Sequence, residues 1–212
     1  VNNTAGTATL DAITMTGSYD TAGIYVEGTG ANAVVTDSNI TNSIDDAIYA
    51  KNNATIAVSD TTVKSTTSAG ILLNNSVTAT LTNVTANENG LYGVWVTGGS
   101  TVTINGATTN SNALSGIYVS GSTANINDVT SNGNTQYGLL VANSSTSTVT
   151  SSTFSDNTID GIAAETGSAV TVTGTTTVSG NDRHGISAIG TNSSITMTGG
   201  TISSNGDGDA LD

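Results

Sequence analysis

Two fragments of this 212-residue chain carry residue types suited to acid–base work, Asp45-Asp46-Ala47-Ile48 and His184-Gly185-Ile186-Ser187. Neighbouring carboxylates can divide the roles of acid and base in cleaving a glycosidic bond, and histidine changes charge near neutral pH. Three cations, Lys51, Lys64 and Arg183, are the only Lys and Arg present. Near the end, Asn205-Gly206-Asp207-Gly208-Asp209-Ala210-Leu211-Asp212 alternates Gly with Asp. That spacing can aim carboxylates and carbonyls at a hard cation, which sets a calcium expectation at Asp207, Asp209 and Asp212. The run occurs once, so a polar corner is the plainer reading, and no other cofactor is expected.

What positions these residues is a repeat. Gly116-Ile117-Tyr118-Val119 returns as Gly23-Ile24-Tyr25-Val26, Ala47-Ile48-Tyr49-Ala50, Gly70-Ile71-Leu72-Leu73, Gly93-Val94-Trp95-Val96, Gly138-Leu139-Leu140-Val141, Gly161-Ile162-Ala163-Ala164 and Gly185-Ile186-Ser187-Ala188, every 22 to 25 residues. A period of this length means a solenoid whose coils bury their apolar faces only by stacking. In the coil from Gly93 to Ser115, Val94 and Val96 alternate with Trp95, so the valines point inward. After a Gly-Gly-Ser turn, Val102 and Ile104 alternate with Thr101, Thr103 and Asn105, and a weaker third strand follows. The expected fold is all-β, about nine coils of 22 to 25 residues with three short strands each, and one continuous domain over residues 1–212 with no cap at either end. Core positions on the third strand are expected at Ile40, Val63, Val84 or Ala86, Val129, Phe154, Val178 and Ile202.

Asn89, Asn112, Asn134, Asn157 and Asn181 each stand four residues before the repeated Gly. Asn tolerates the left-handed backbone region, and its amide can bond to the equivalent amide one coil above, so these residues are expected to form a structural ladder. With its Gly-Ile strand starts and this asparagine column, the chain resembles the right-handed parallel β-helix family, the pectin-lyase-like fold, over essentially all its length. The resemblance implies a fold shared by enzymes, adhesins and structural proteins, so it does not assign a function.

Hydrolases of that fold use clustered Asp and a His-Gly motif. Here the Asp pair and His184 lie at equivalent corners six coils apart, roughly 29 Å at the spacing of stacked strands. Acid and base must lie within about 5–10 Å, so Asp45 and Asp46 are expected to be corner residues and His184 a solvated corner residue. Lyases of the fold imply a cationic base, and the three cations are scattered among coils. A net charge of −13 argues against nucleic acid or an anionic membrane surface as partner. Absence of Cys removes disulfides and thiolate chemistry, and no run reaches the ~18 apolar residues of a membrane span.

Two outward arrays remain. Tyr25, Tyr49, Leu72, Trp95, Tyr118 and Leu140 fall in line up the rod, and a contiguous patch of this kind reads as an interface for glycans or a neighbouring surface protein. Rows of Thr-x-Thr on the second strand, such as Thr80/Thr82 and Thr171/Thr173, suit exposed strands in any case. The ends also match: joined head to tail, Ala210-Leu211-Asp212-Val1 would complete a repeat strand and bring Ala8 and Leu10 to core offsets. Val1, Ala8, Leu10, Ala210 and Leu211 are then an end-to-end contact between copies, which yields a filament. The expectation is a non-enzymatic, extracellular structural solenoid at the cell surface, stacked into a filament. A glycan-binding adhesin segment is the alternative, and a carbohydrate-active enzyme comes third.

Overall fold

The computed structural model describes residues 1–17 and 22–210, with residues 208–210 described by their backbone alone. The described chain winds into a right-handed parallel β-solenoid of about nine turns. One face is a ten-stranded sheet, in which Ala22–Glu27, Asp46–Lys51, Ile71–Asn74, Val94–Thr97, Ile117–Ser120, Leu139–Ala142, Ile162–Glu165 and His184–Ile189 stack in chain order. The second face is a nine-stranded sheet running from Gly6–Asp11 to Ser194–Thr198. Three-residue strands make the third face, which falls into two four-stranded parts. Between those parts, single bridges join Thr108 to Thr85 and Thr130. Strand pairings throughout are parallel, each to the equivalent strand one coil away.

Period-two alternation turns Ile117 and Val119 inward on the first face and Ala124 and Ile126 on the second, all fully buried. Phe154 fills the core of the third face. Its partner in the coil below is Ser131, not Val129, because the third strand there is Thr130–Asn132. Val129 is buried one step earlier, at the corner. A serine is tolerated in that core because its hydroxyl donates to the Gly138 carbonyl at 2.8 Å. Likewise Ala86 pairs with Val63, while Val84 is buried just ahead of the strand.

Each corner satisfies its backbone by a column of polar side chains. Before the first face, the amide Nδ2 of Asn89 donates to Asn112 Oδ1 at 3.1 Å, Asn112 to Asn134 at 3.0 Å, Asn134 to Asn157 at 3.0 Å and Asn157 to Asn181 at 2.9 Å. The same oxygens accept the backbone N–H of the Asn below. Left-handed geometry falls on the residue ahead of each Asn, with φ of 56° at Glu88, Ser111 and Asp156, and not on the Asn itself. Between the first and second faces Ser100, Ser122, Ser145 and Ser168 form a hydroxyl column, each Oγ accepting a backbone N–H from the coil below at 3.1 Å. Between the second and third, Ser152 and Thr176 do the same for Val129 and Ser152. Orphaning one of these buried N–H groups costs about 1–3 kcal/mol.

Candidate functional site

The residue immediately before each repeated Gly or Ala stands at the entrance to the first face. Backbone bonds between coils set the column: Ala47 N–H to Ala69, Gly70 to Tyr92, Gly93 to Ser115, Gly116 to Tyr137, Gly138 to Asp160 and Gly161 to His184. Asp46, Ala69, Tyr92, Ser115, Tyr137, Asp160 and His184 are therefore stacked equivalents. Both carboxylates of the column are buried, Asp46 at 3% exposure and Asp160 at 0%. Asp46 thus stands at a corner but is buried there.

Asp160 organises the upper part of the face. Arg183 donates to it through Nε at 2.8 Å and Nη2 at 2.5 Å, Ser187 through Oγ at 2.6 Å and His184 through its backbone N–H at 3.0 Å. Burial alone would push the carboxyl up, but these donors and the Arg183 charge outweigh it and hold it below its ordinary value. The His184 ring is also drawn in. Its Nδ1 lies 3.3 Å from Asp160 Oδ1, is shut off from solvent and makes no aligned hydrogen bond. From one coil below, Tyr137 donates its hydroxyl to Glu165 at 3.3 Å. Desolvation, then the Glu165 charge, raises the phenol above its usual value. Tyr137, Asp160, Glu165, Arg183, His184 and Ser187 so form one cluster of ionisable and hydroxyl groups able to bind polar ligand atoms and move protons. His184 is a contact of Asp160, and the expectation of a solvated histidine is corrected.

Below this cluster lies an aromatic platform. Strand register places Tyr25, Tyr49, Leu72, Trp95, Tyr118, Leu140, Ala163 and Ser187 in one outward line. The line is not evenly open: Leu72, Ala163 and Ser187 are buried, while Tyr25, Tyr49, Trp95, Tyr118 and Leu140 are half-buried. Tyr92, from the corner column, packs its ring 5.2 Å from Trp95 and 5.0 Å from Tyr118, and those two stack at 6.1 Å with an interplanar angle of 22°. At the lower end Tyr25 and Tyr49 meet edge to face at 5.6 Å. Lys51 lies over both of these rings, and its ammonium is 3.5 Å from Glu27. Tyr25 donates its hydroxyl to Glu27 at 2.5 Å.

The remaining expected residues lie elsewhere. Asp45 is half-buried beside Asp46, and the pair stays six coils from His184. Val1 is 49% exposed, Ala8 and Leu10 are half-buried, and the Ala210 backbone pairs with Ile186. Leu211 and Asp212 lie outside the described residues, as does the Asp209 side chain. Asp207 is exposed, and among the described residues no three His, Asp or Glu come together as a metal site. Sequence reasoning passed over Asp160, Tyr137 and Tyr92. Their signal was the position directly before the repeated Gly, which draws polar and aromatic residues onto one line.

The family described as "right handed beta helix region" matches the sequence over residues 22–177 and 137–211. No curated protein matches the chain by sequence. Among solved structures, the periplasmic alginate epimerase AlgG superimposes with a TM-score of 0.76 at 15% identity, over 83% of this chain and 46% of that one. The Azotobacter vinelandii mannuronan C-5 epimerase AlgE6 A-module gives 0.64 at 16% identity, over 84% and 57%. Pectate lyase Pel9A gives 0.62 at 13% identity, over 99% and 71%. The chain spans about half the length of the epimerases it resembles. These neighbours are carbohydrate-active enzymes, and none is a filament subunit or an adhesin, so the expectation of a non-enzymatic element is corrected. In the fold the partner of His184 is Asp160, one coil below, and not the distant Asp45 and Asp46.

Proposed function

Because this chain belongs to the right-handed β-helix family, we propose that it is the helical part of an exported carbohydrate-active enzyme, binding a polysaccharide along the outward line of its first face. One observation carries this reading: the aromatic platform of Tyr92, Trp95 and Tyr118 and the polar cluster of Tyr137, Glu165, Arg183 and His184 occupy consecutive coils of the same face. Planar rings offer sugar rings an apolar surface on which their C–H faces stack, with little side-chain entropy to lose. Tyr137 and His184 then supply the groups for proton transfer to or from a bound sugar, with Asp160 fixing Arg183 and the His184 backbone. A polymer lying along the rod reaches platform and cluster together. The periplasmic setting of AlgG agrees with export.

Affinity electrophoresis against a panel of polysaccharides, with product analysis of the same mixtures, tests the reading. At least one polymer should retard the protein, Trp95→Ala should weaken that retardation at least about tenfold, and His184→Gln should reduce product formation while leaving retardation unchanged. Failure of every polymer to bind overturns the proposal.

A further inference from the structure

The three cations of this chain are all committed to carboxylates of the chain itself. Lys51 is 3.5 Å from Glu27, Lys64 is 3.9 Å from Glu88, and Arg183 is 2.5 Å from Asp160. Asp160 neutralises Arg183, so its remaining N–H groups can meet a ligand's hydroxyls without offering net positive charge, and turning it away would strand a fully buried carboxylate. Lys51 is held by Glu27 on one side and by two tyrosine rings on the other. The only pair loose enough to open, Lys64–Glu88, sits on the third face and its corner, away from the platform. Around these pairs the chain carries sixteen Asp and Glu against three Lys and Arg, so its far field is negative.

The centre of the platform, around Tyr92, Trp95 and Tyr118, is uncharged. Strands Ile71–Asn74, Val94–Thr97, Ile117–Ser120 and Leu139–Ala142, which carry Leu72, Trp95, Tyr118 and Leu140, contain no Asp, Glu, Lys or Arg. Their outward ends are Asn74, Thr97 and Ser120, donors and acceptors suited to sugar hydroxyls. A polyuronate lying here would bring one carboxylate per sugar into a negative field with no free cation to meet it. A neutral polymer would lose nothing to that field and would keep both the ring stacking and the hydroxyl bonds. We infer that the polysaccharide bound by this face is an uncharged one, unlike alginate or pectate. This rests on the proposed carbohydrate-binding reading of the same face.

The experiment compares one backbone in two charge states, demethylated and fully methyl-esterified homogalacturonan, beside neutral glucans, mannans and xylans and beside alginate. Calorimetric titration of the full chain is run at low and high salt. The best neutral polymer should bind at least about tenfold tighter than any acidic one, with an affinity that salt leaves unchanged. Lys64→Gln, on the third face away from the platform, should not alter that affinity, and Trp95→Ala should reduce it at least tenfold. Tighter binding of alginate or demethylated homogalacturonan, weakening as salt rises, overturns the neutral-polymer inference while the carbohydrate reading stands. Binding to no polymer in either salt overturns both.

Discussion

Asp46 and Asp160 occupy the same corner of the repeat five coils apart, and the next coil donates a backbone N–H to the carboxylate of each. Each accepts the N–H of the equivalent residue one coil up, Ala69 at 2.9 Å for the first and His184 at 3.0 Å for the second. Their carboxyls nonetheless move in opposite directions. Burial, followed by the smaller influence of Asp45, pushes Asp46 up to about 6 against the donors Ser68 and Ala69, whereas Arg183 and Ser187 hold Asp160 low. The larger cause is one position, to which Ser187, standing where the coil above Asp46 has Leu72, adds a second donor. Arg183 stands in the column of Ser68, Leu91, Leu114, Gln136 and Ile159, linked coil by coil through their backbones. A solenoid can therefore convert a costly buried acid into an anchored one by a substitution one coil away, without altering either strand.

The largest effect that would break the contrast is removal of the cation. Arg183→Met leaves Asp160 buried and unpaired, and should cost about 3–5 kcal/mol in urea denaturation at pH 7. Asp160→Asn in the same background should restore much of it. Asp46 gives the mirror experiment. Its folded value of about 6 lies above its ordinary 3.8, so folding favours its protonated form. That contribution is full below about pH 4 and is lost as pH rises through 6. Asp46→Asn should accordingly leave stability unchanged at pH 4 and raise it at pH 8, by up to about 3 kcal/mol for two pKa units. Asp160 has the opposite slope: its folded value is lowered, so its contribution is present above the ordinary value and fades only as pH falls below it.

Transplanting the cation sharpens the comparison further. Ser68→Arg places a guanidinium over Asp46 as Arg183 stands over Asp160, and should lower the Asp46 carboxyl, measured by NMR titration, to below its ordinary range. The gain at pH 8 should be about 1–3 kcal/mol, the range of a charge-assisted hydrogen bond. Smallest of all is Lys64→Ala. Lys64 and Glu88 are 3.9 Å apart with side chains 45% and 58% exposed, and loss of that pair should shift stability by less than about 1 kcal/mol.

The sequence made the repeat, the inward pairs and the asparagine column readable because each recurs at a fixed offset from a glycine. It misplaced the left-handed residue by one, since Asn at a corner suggests its own backbone is special. In the folded chain the amide is busy with two donors from the coil below, and Glu88 or Ser111 takes the turn instead. Ser131 was not foreseen as the partner of Phe154, because a hydroxyl in a core is recognisable only once Gly138 is seen to accept from it. The Asp160 cluster was hidden for a related reason. Asp160, Arg183 and His184 look like scattered polar residues until the 23- and 24-residue offsets between them are laid on the coil period.

The serine and asparagine columns share a property that reaches beyond their stability. The hydrogen bonds between successive members of each column join residues 22 to 24 apart, one coil and no further. Contacts of that span keep the loop-closure cost of each added turn nearly constant, and nearest-neighbour stacking lets ordering begin anywhere and spread. For a chain that emerges end first, as during synthesis, every 22 to 25 residues that emerge can close the next coil onto the one already formed. When the N-terminus leads, the template for each step is the row of backbone N–H and Asn Nδ2 donors left waiting on the last completed coil; when the C-terminus leads, it is the row of Oδ1 and Oγ acceptors.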